Sequence, residues 1–248
     1  MEKLHVGTMG WSYDFWRGNF YPEDAKNLLT EYAKNFATVE IDNTFYRIPS
    51  QDTVKKWRDE TPDEFIFSAK FPRKITHIKM LQDCQEELAV FVEHMSLMGK
   101  KLGPMLIQLP PGFKPEMAGI LKDFLAGLPE GRFAVEIRNK KWLDEKFYDL
   151  LRDNKVALAL IDHPWMPQMN TITADFTYIR WEGDRKKVKG TLGKVERDRN
   201  EEIKDWALKI KGFLDDSIEV FGYFSKTYSG YPPWDVRMLL DQVKIDPP

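Results

Sequence analysis

Residues Phe36–Arg47 read FATVEIDNTFYR, an apolar, β-branched run that gives way to charged and amide side chains. Ala37, Thr38, Val39 and Ile41 suit a strand covered on both faces. Glu40 sits inside that run, where a carboxylate is costly to bury without a partner. Asp42, Asn43 and Tyr46 follow where the strand must pass into a loop. The same arrangement recurs along the chain. FIFSAK at Phe65–Lys70 stops on a lysine, Pro104–Leu109 carries Gln108, and Arg132–Ile137 carries Glu136 with Arg138 behind it. VALALI at Val156–Ile161 stops at Asp162, Thr177–Trp181 contains Arg180, and Ile218–Phe224 is followed by Ser225. With Leu4–Thr8 at the start, these make eight short strands.

Helical periodicity fills the spaces between them. Leu28, Leu29, Tyr32 and Phe36 form one helical stripe for which Asp24 is a candidate cap, and Pro49-Ser50 opens a second helix. Further helices are predicted after Pro115, over Asp144–Asn154, around Ile203–Ile210 and at the C-terminal end. The connection Pro164–Thr173 lacks such a pattern. Strictly alternating strands and helices imply a parallel sheet with helices outside, and eight such units close into an α/β barrel. The fold class is therefore a (β/α)8 barrel with at least one irregular βα unit, spanning residues 1–248 as one domain. No glycine-rich fingerprint opens the first helix, which removes dinucleotide binding as an expectation.

Composition narrows the partners. A formal net charge of −2 with 31% charged residues lacks the imbalance typical of nucleic-acid or membrane-surface proteins. Cys84 is the single cysteine, which excludes an intrachain disulfide. The N-terminal residues have no basic start and apolar core of the signal-peptide kind, and no apolar run nears a membrane span. The reading is a soluble, cytoplasmic protein with no membrane partner.

In such a barrel the C-terminal strand ends gather at one mouth, where sites form. Glu40, Lys70, Gln108, Glu136, Arg138, Asp162, Arg180 and Ser225 would converge there from seven strands. Opposite charges held together in a pocket push pKa values apart, which separates acid from base roles. The expected catalytic set is Glu40, Lys70, His77, Glu136 and Asp162. Trp11, Tyr13, Asn43, Tyr46, Gln108, Arg138 and Arg180 are expected to hold the substrate, the rings by stacking. Four histidines spread along the chain do not make a zinc cluster, so no metal ligands are assigned and the cofactor is left open. Between Asp184 and Arg199, seven Lys/Arg face three acids, a basic loop suited to phosphate.

At these residues the chain resembles the domain-of-unknown-function 72 family, also called YecE-like. The resemblance rests on GTMGWSYDFWRGNFYP from Gly7 to Pro22, TVEIDNTFYRIPS, FSAKFPRKITH ending at His77, LGPMLIQLPPGF, VEIRNKKW and YIRWEG. It implies a TIM-like barrel and marks Glu40, Lys70, His77, Gln108, Glu136, Arg138, Asp162 and Arg180 as the family's polar positions. Asn139 and Glu182 stand where that family often has His, and Ser225-Lys226 replaces its paired Asn. The resemblance supplies no activity. The leading expectation is an enzyme of the hydrolase, lyase or isomerase kind, doing acid–base chemistry on a small polar or phosphorylated substrate. The alternatives are a nucleic-acid-binding or processing protein using the basic loop and stacking rings, and a non-catalytic ligand sensor.

Overall fold

The structure, a computed structural model, describes residues 3–244. Eight parallel strands close into a barrel in sequence order: β1 (Leu4–Met9), β2 (Thr38–Ile41), β3 (Ile66–Lys70), β4 (Leu102–Gln108), β5 (Phe133–Glu136), β6 (Ala157–Asp162), β7 (Phe176–Trp181) and β8 (Glu219–Phe224). Closure comes from β8 against β1, in a register running from Leu4 opposite Val220 to Thr8 opposite Phe224. Closing the sheet leaves no unpaired edge.

Seven helices pack outside: α1 (Leu28–Ala33), α2 (Gln51–Asp59), α3 (Gln85–Ser96), α4 (Ala118–Ala126), α5 (Glu145–Asp153), α6 (Asn200–Asp215) and α7 (Pro232–Lys244). The β6–β7 connection holds no helix, as the missing periodicity of Pro164–Thr173 led one to expect. Ser50 and Asp144 cap α2 and α5, each accepting a backbone N–H three residues on. The cap of α1 differs from expectation. Asn27, not Asp24, accepts from the N–H groups of Leu29 and Thr30, so the helix starts four residues after the expected cap.

The core has two parts. The larger lies between strands and helices; the smaller, with Met9, Leu106, Ala134, Ala159, Tyr178 and Tyr223, fills the barrel interior. Side chains alternate along each strand, so every second residue points inward. Inside, Tyr223 donates to Ser68 (2.8 Å), and its hydroxyl lies 2.9 Å from that of Thr38. On the outer face, Gly222 lets the Trp181 indole lie flat beside β8; a Cβ there would come within 2.6 Å of the ring. Among the described residues no helix is long and apolar enough to cross a membrane.

Gly222→Ala should therefore lower stability by about 1–3 kcal/mol, the usual cost of forcing extra volume into a packed core. Urea unfolding checks it, and an unchanged midpoint would refute the close approach.

Candidate active site at the barrel mouth

The site is built on one buried cation. Arg180, the fifth residue of β7, points into the barrel and is 1% exposed. Its guanidinium forks onto Glu40 of β2, with Nε 3.0 Å from Oε2 and Nη2 2.8 Å from Oε1. Nη1 reaches Glu136 of β5 at 2.7 Å and Glu182, just past β7, at 2.6 Å. Arg138 stacks a second layer above, bonded to Glu136 and, at 2.7 Å, to Glu182. Glu40 also accepts from the Tyr178 hydroxyl at 2.7 Å. Three buried carboxylates thus share two guanidinium groups, the condition under which burying charge is tolerable.

The sharing sets the ionisation. Burial and the nearby Asp42 push the Glu40 carboxyl up from its ordinary value, against the pull of Arg180. Burial also opposes ionisation of Glu136 and Glu182, but each touches two guanidinium groups, and these hold both carboxyls below their ordinary value. Arg180 stays charged well above its ordinary range: burial opposes the charge, and three surrounding carboxylates outweigh it.

Above this layer opens a cavity of about 470 Å³. Lys70, Arg138, Arg185 and Lys186 bring cations to it; Asp42, Glu182 and Asp184 bring acids. Lys70 Nζ lies 3.2 Å from Asp42 Oδ1 and 4.2 Å above the centre of the Phe45 ring. His77 arrives on a single π-helical turn, Lys74–Ile78, packed edge-on against Phe45 with its Nδ1 2.9 Å from the Thr76 hydroxyl. Burial, then the neighbouring Lys70, lowers its pKa from 6.5 to about 4, so the ring is neutral at pH 7. Gln108 lines the cavity with no hydrogen-bond partner for its amide among the described residues.

The residues singled out from sequence divide into four groups. Lys70, His77, Gln108, Arg138 and Tyr46 line the mouth. Glu40, Glu136 and Arg180 lie beneath it, fully enclosed and already bonded to one another. Trp11, Tyr13 and Asn43 line a smaller adjoining cavity of about 210 Å³. Asp162 and Ser225 are not brought to the mouth. Asp162 shares the parity of Leu158 and Leu160, which face the helices, and its Oδ2 accepts from the Trp206 indole of α6 at 3.2 Å. Ser225 turns its hydroxyl to Thr227, 3.0 Å away.

Among the mouth residues not assigned from sequence are Asp42, His163 and Glu182. Asp42 reads in sequence as the loop start, and His163 follows β6 near the mouth without an assigned role. Glu182 was noted only as a departure from a family pattern, yet the alternation Tyr178, Arg180, Glu182 carries it inward. Its backbone is fixed by N–H donation to the Asp162 carbonyl (3.1 Å) and acceptance from the Thr227 hydroxyl (2.7 Å). Gly183 then turns with φ +70°, where a Cβ would meet the Thr227 carbonyl at 2.1 Å. The basic loop is anchored at Val188, Gly190, Gly193 and Arg199, which are buried, and by Glu196, which accepts the N–H groups of Lys189 and Gly190, while Arg185, Lys186, Lys187, Lys189 and Lys194 are exposed. Among the described residues no group of three His, Cys, Asp or Glu side chains is arranged to hold a metal ion.

A closed eight-stranded barrel with helices outside and a charged mouth defines an α/β TIM-barrel-like protein. A family model described as "Protein of unknown function DUF72" matches residues 5–248, and the chain belongs to that family. It is 33% identical over 140 residues to UPF0759 protein YecE of Escherichia coli K12, covering 56% of this chain. The chain spans only half (50%) of that curated relative's length. It is 24% identical to UPF0759 protein YunF of Bacillus subtilis, over 98% of this chain and 95% of that protein. The crystal structure of a DUF72 family protein from Thermotoga maritima superposes with a TM-score of 0.82 at 24% identity, covering 98% of this chain and 99% of that one.

Two outcomes test this arrangement. Arg180→Met strands three buried carboxylates and should cost about 3–5 kcal/mol in denaturant unfolding; a loss under 1 kcal/mol would contradict the shared-cation description. An NMR titration should place the His77 imidazole near 4. A histidine whose folded pKa is lowered contributes stability that is complete above about pH 6.5 and is lost as pH falls through about 4. A midpoint near the ordinary value would refute the burial assigned to the ring.

Proposed function

We propose that the mouth binds a small, polar, anionic molecule and carries out acid–base chemistry on it. The observation that carries this reading is the pairing of Lys70 and Arg138 over one cavity with the neutral imidazole of His77 between acids and cations. Lys70 and Arg138 hold the anionic group, Arg138 presenting a planar fork and Lys70 a point charge. Gln108 has amide donors and an acceptor to spare for a hydroxyl or carbonyl. His77 is the proton carrier, because a neutral ring both accepts and donates.

Glu40, Glu136 and Arg180 act from below. They fix Arg138 and Glu182, and their guanidinium contacts leave little capacity for a ligand. Preorganised charge of this kind costs no rearrangement when a ligand's own charge changes. A phosphorylated or carboxylated substrate of a hydrolase, lyase or isomerase fits that chemistry.

A nucleic-acid reading draws on a different observation. Arg185, Lys186 and the exposed Trp165 share the rim, with Lys186 Nζ 5.7 Å from the ring centre. It requires oligonucleotide binding that weakens steeply with salt; failure to bind at low salt removes it. A ligand sensor would bind stoichiometrically and form no product.

For the leading reading, millimolar inorganic phosphate and sugar phosphates should raise the melting temperature, since a ligand of the native state stabilises it. Lys70→Gln should weaken that binding about tenfold or more, as expected for loss of a charged contact worth about 1.5–3 kcal/mol. Equal stabilisation of both proteins would refute the assignment of the anion to Lys70.

A further inference from the structure

The cavity over Tyr13 adjoins the mouth, and its chemistry is different. Asp42 and Tyr46 line both spaces, so a ligand seated on Lys70 can extend past them, across the β2–α2 loop. The Tyr13 ring is a fixed wall: its hydroxyl donates to the Met9 carbonyl at 2.6 Å, and it packs at tilted angles against Phe15 and Trp16. Facing the same space, Ser12 and Asn43 carry polar side chains with no partner among the described residues. Asp42 turns its buried Oδ1 toward Lys70, so the 40% exposure of its side chain lies on the side facing the cavities.

Tyr46 marks the passage. It is 75% exposed, more than any other large hydrophobic side chain described, and Trp165, next at 73%, stands on the same mouth. Single exposed rings are ordinary, but two of this size at one cavity leave apolar faces for a ligand to cover. Tyr46 leans edge-on against Phe45, and Phe45 lies under Lys70 and against His77. A ring on Tyr46 therefore lies beside the groups assigned to the anion and the proton.

We propose that the ligand has two parts: an anionic group on Lys70 and Arg138, and a polyhydroxylated ring of the sugar type in the Tyr13–Tyr46 cavity. This rests on the anion-binding reading above. A sugar ring has apolar C–H faces that suit aromatic walls and a rim of hydroxyls that both donate and accept. Ser12, Asp42 and Asn43 match that rim. A bare anion would use none of these groups. The anion is equally served by phosphate or carboxylate, and glucose 6-phosphate and glucuronate tell the two apart.

The test is calorimetric titration of the full chain with inorganic phosphate, glucose 6-phosphate, glucuronate and glucose. At least one of the two sugar anions should bind about tenfold or more tightly than phosphate, about 1.4 kcal/mol. Tyr46→Ala and Asn43→Ala each alter an exposed side chain, so folding is not at stake. Both should erase most of that advantage while leaving phosphate affinity within about twofold; Lys70→Gln should weaken all three anions. Sugar anions that bind no tighter than phosphate would overturn the ring site, as would a Tyr46→Ala loss equal for phosphate and sugar anion. Glucose binding that Tyr46→Ala abolishes, with no phosphate binding at all, would keep the ring site and overturn the anion reading. If none of the four probes binds, both are overturned.

Discussion

A guanidinium sealed inside a barrel must be surrounded by acids, and that requirement organises this protein. Arg180 draws Glu40 from β2, Glu136 from β5 and Glu182 from the end of β7 onto one group. These strands are not neighbours, so the contact crosses the barrel and ties its sides together. The arrangement is more demanding than an apolar plug. A buried ion pair is weak evidence for net stability, because desolvation offsets most of its attraction. What the network supplies instead is fixed direction: each carboxylate is bonded to a guanidinium, and Arg138 is held above them as the floor of an open space.

That division into a layer closed on itself and a layer open to the cavity gives the mouth its character. Below, polar groups bind each other. Above, Lys70, His77 and Gln108 face the cavity, joined by Asp42 and the upper side of Arg138. The adjoining space over Tyr13 is lined by aromatic and amide or hydroxyl side chains, with Asp42 as the charged group among them. The charged floor and the aromatic side cavity meet at Asp42 and Tyr46, both carried by the loop that follows β2. A short loop thereby joins two kinds of surface, one charged and one aromatic, which are the two halves of the ligand site proposed above.

Much of the fold was legible along the chain because each strand announces itself as an apolar run closed by a polar residue. The inner and outer faces were less legible. Strands covered on both sides lose the apolar–polar alternation that marks a face. VALALI therefore leaves open whether Asp162 turns inward, and the structure turns it outward to Trp206. Glu182 is the converse case. The even positions of β7 are Tyr178 and Arg180, and one more step of two reaches it; only its place past the strand end hid it. Trp11 read as a stacking ring, but it is 8% exposed and packs against Trp57 and Phe67, leaving an edge on the smaller cavity.

The sequence by itself determined the number and order of strands and the set of charges carried at strand ends, since these depend on local pattern and on what a βα repeat can do; the pairing of β8 with β1 that closes the sheet is a tertiary fact. Tertiary structure alone decided depth. Glu40, Glu136 and Lys70 look alike in sequence as polar residues in or at the end of apolar runs, yet two are committed to Arg180 and one faces the cavity. Depth depends on register and on which distant side chain arrives across the barrel, and neither is written in the neighbours of any single residue.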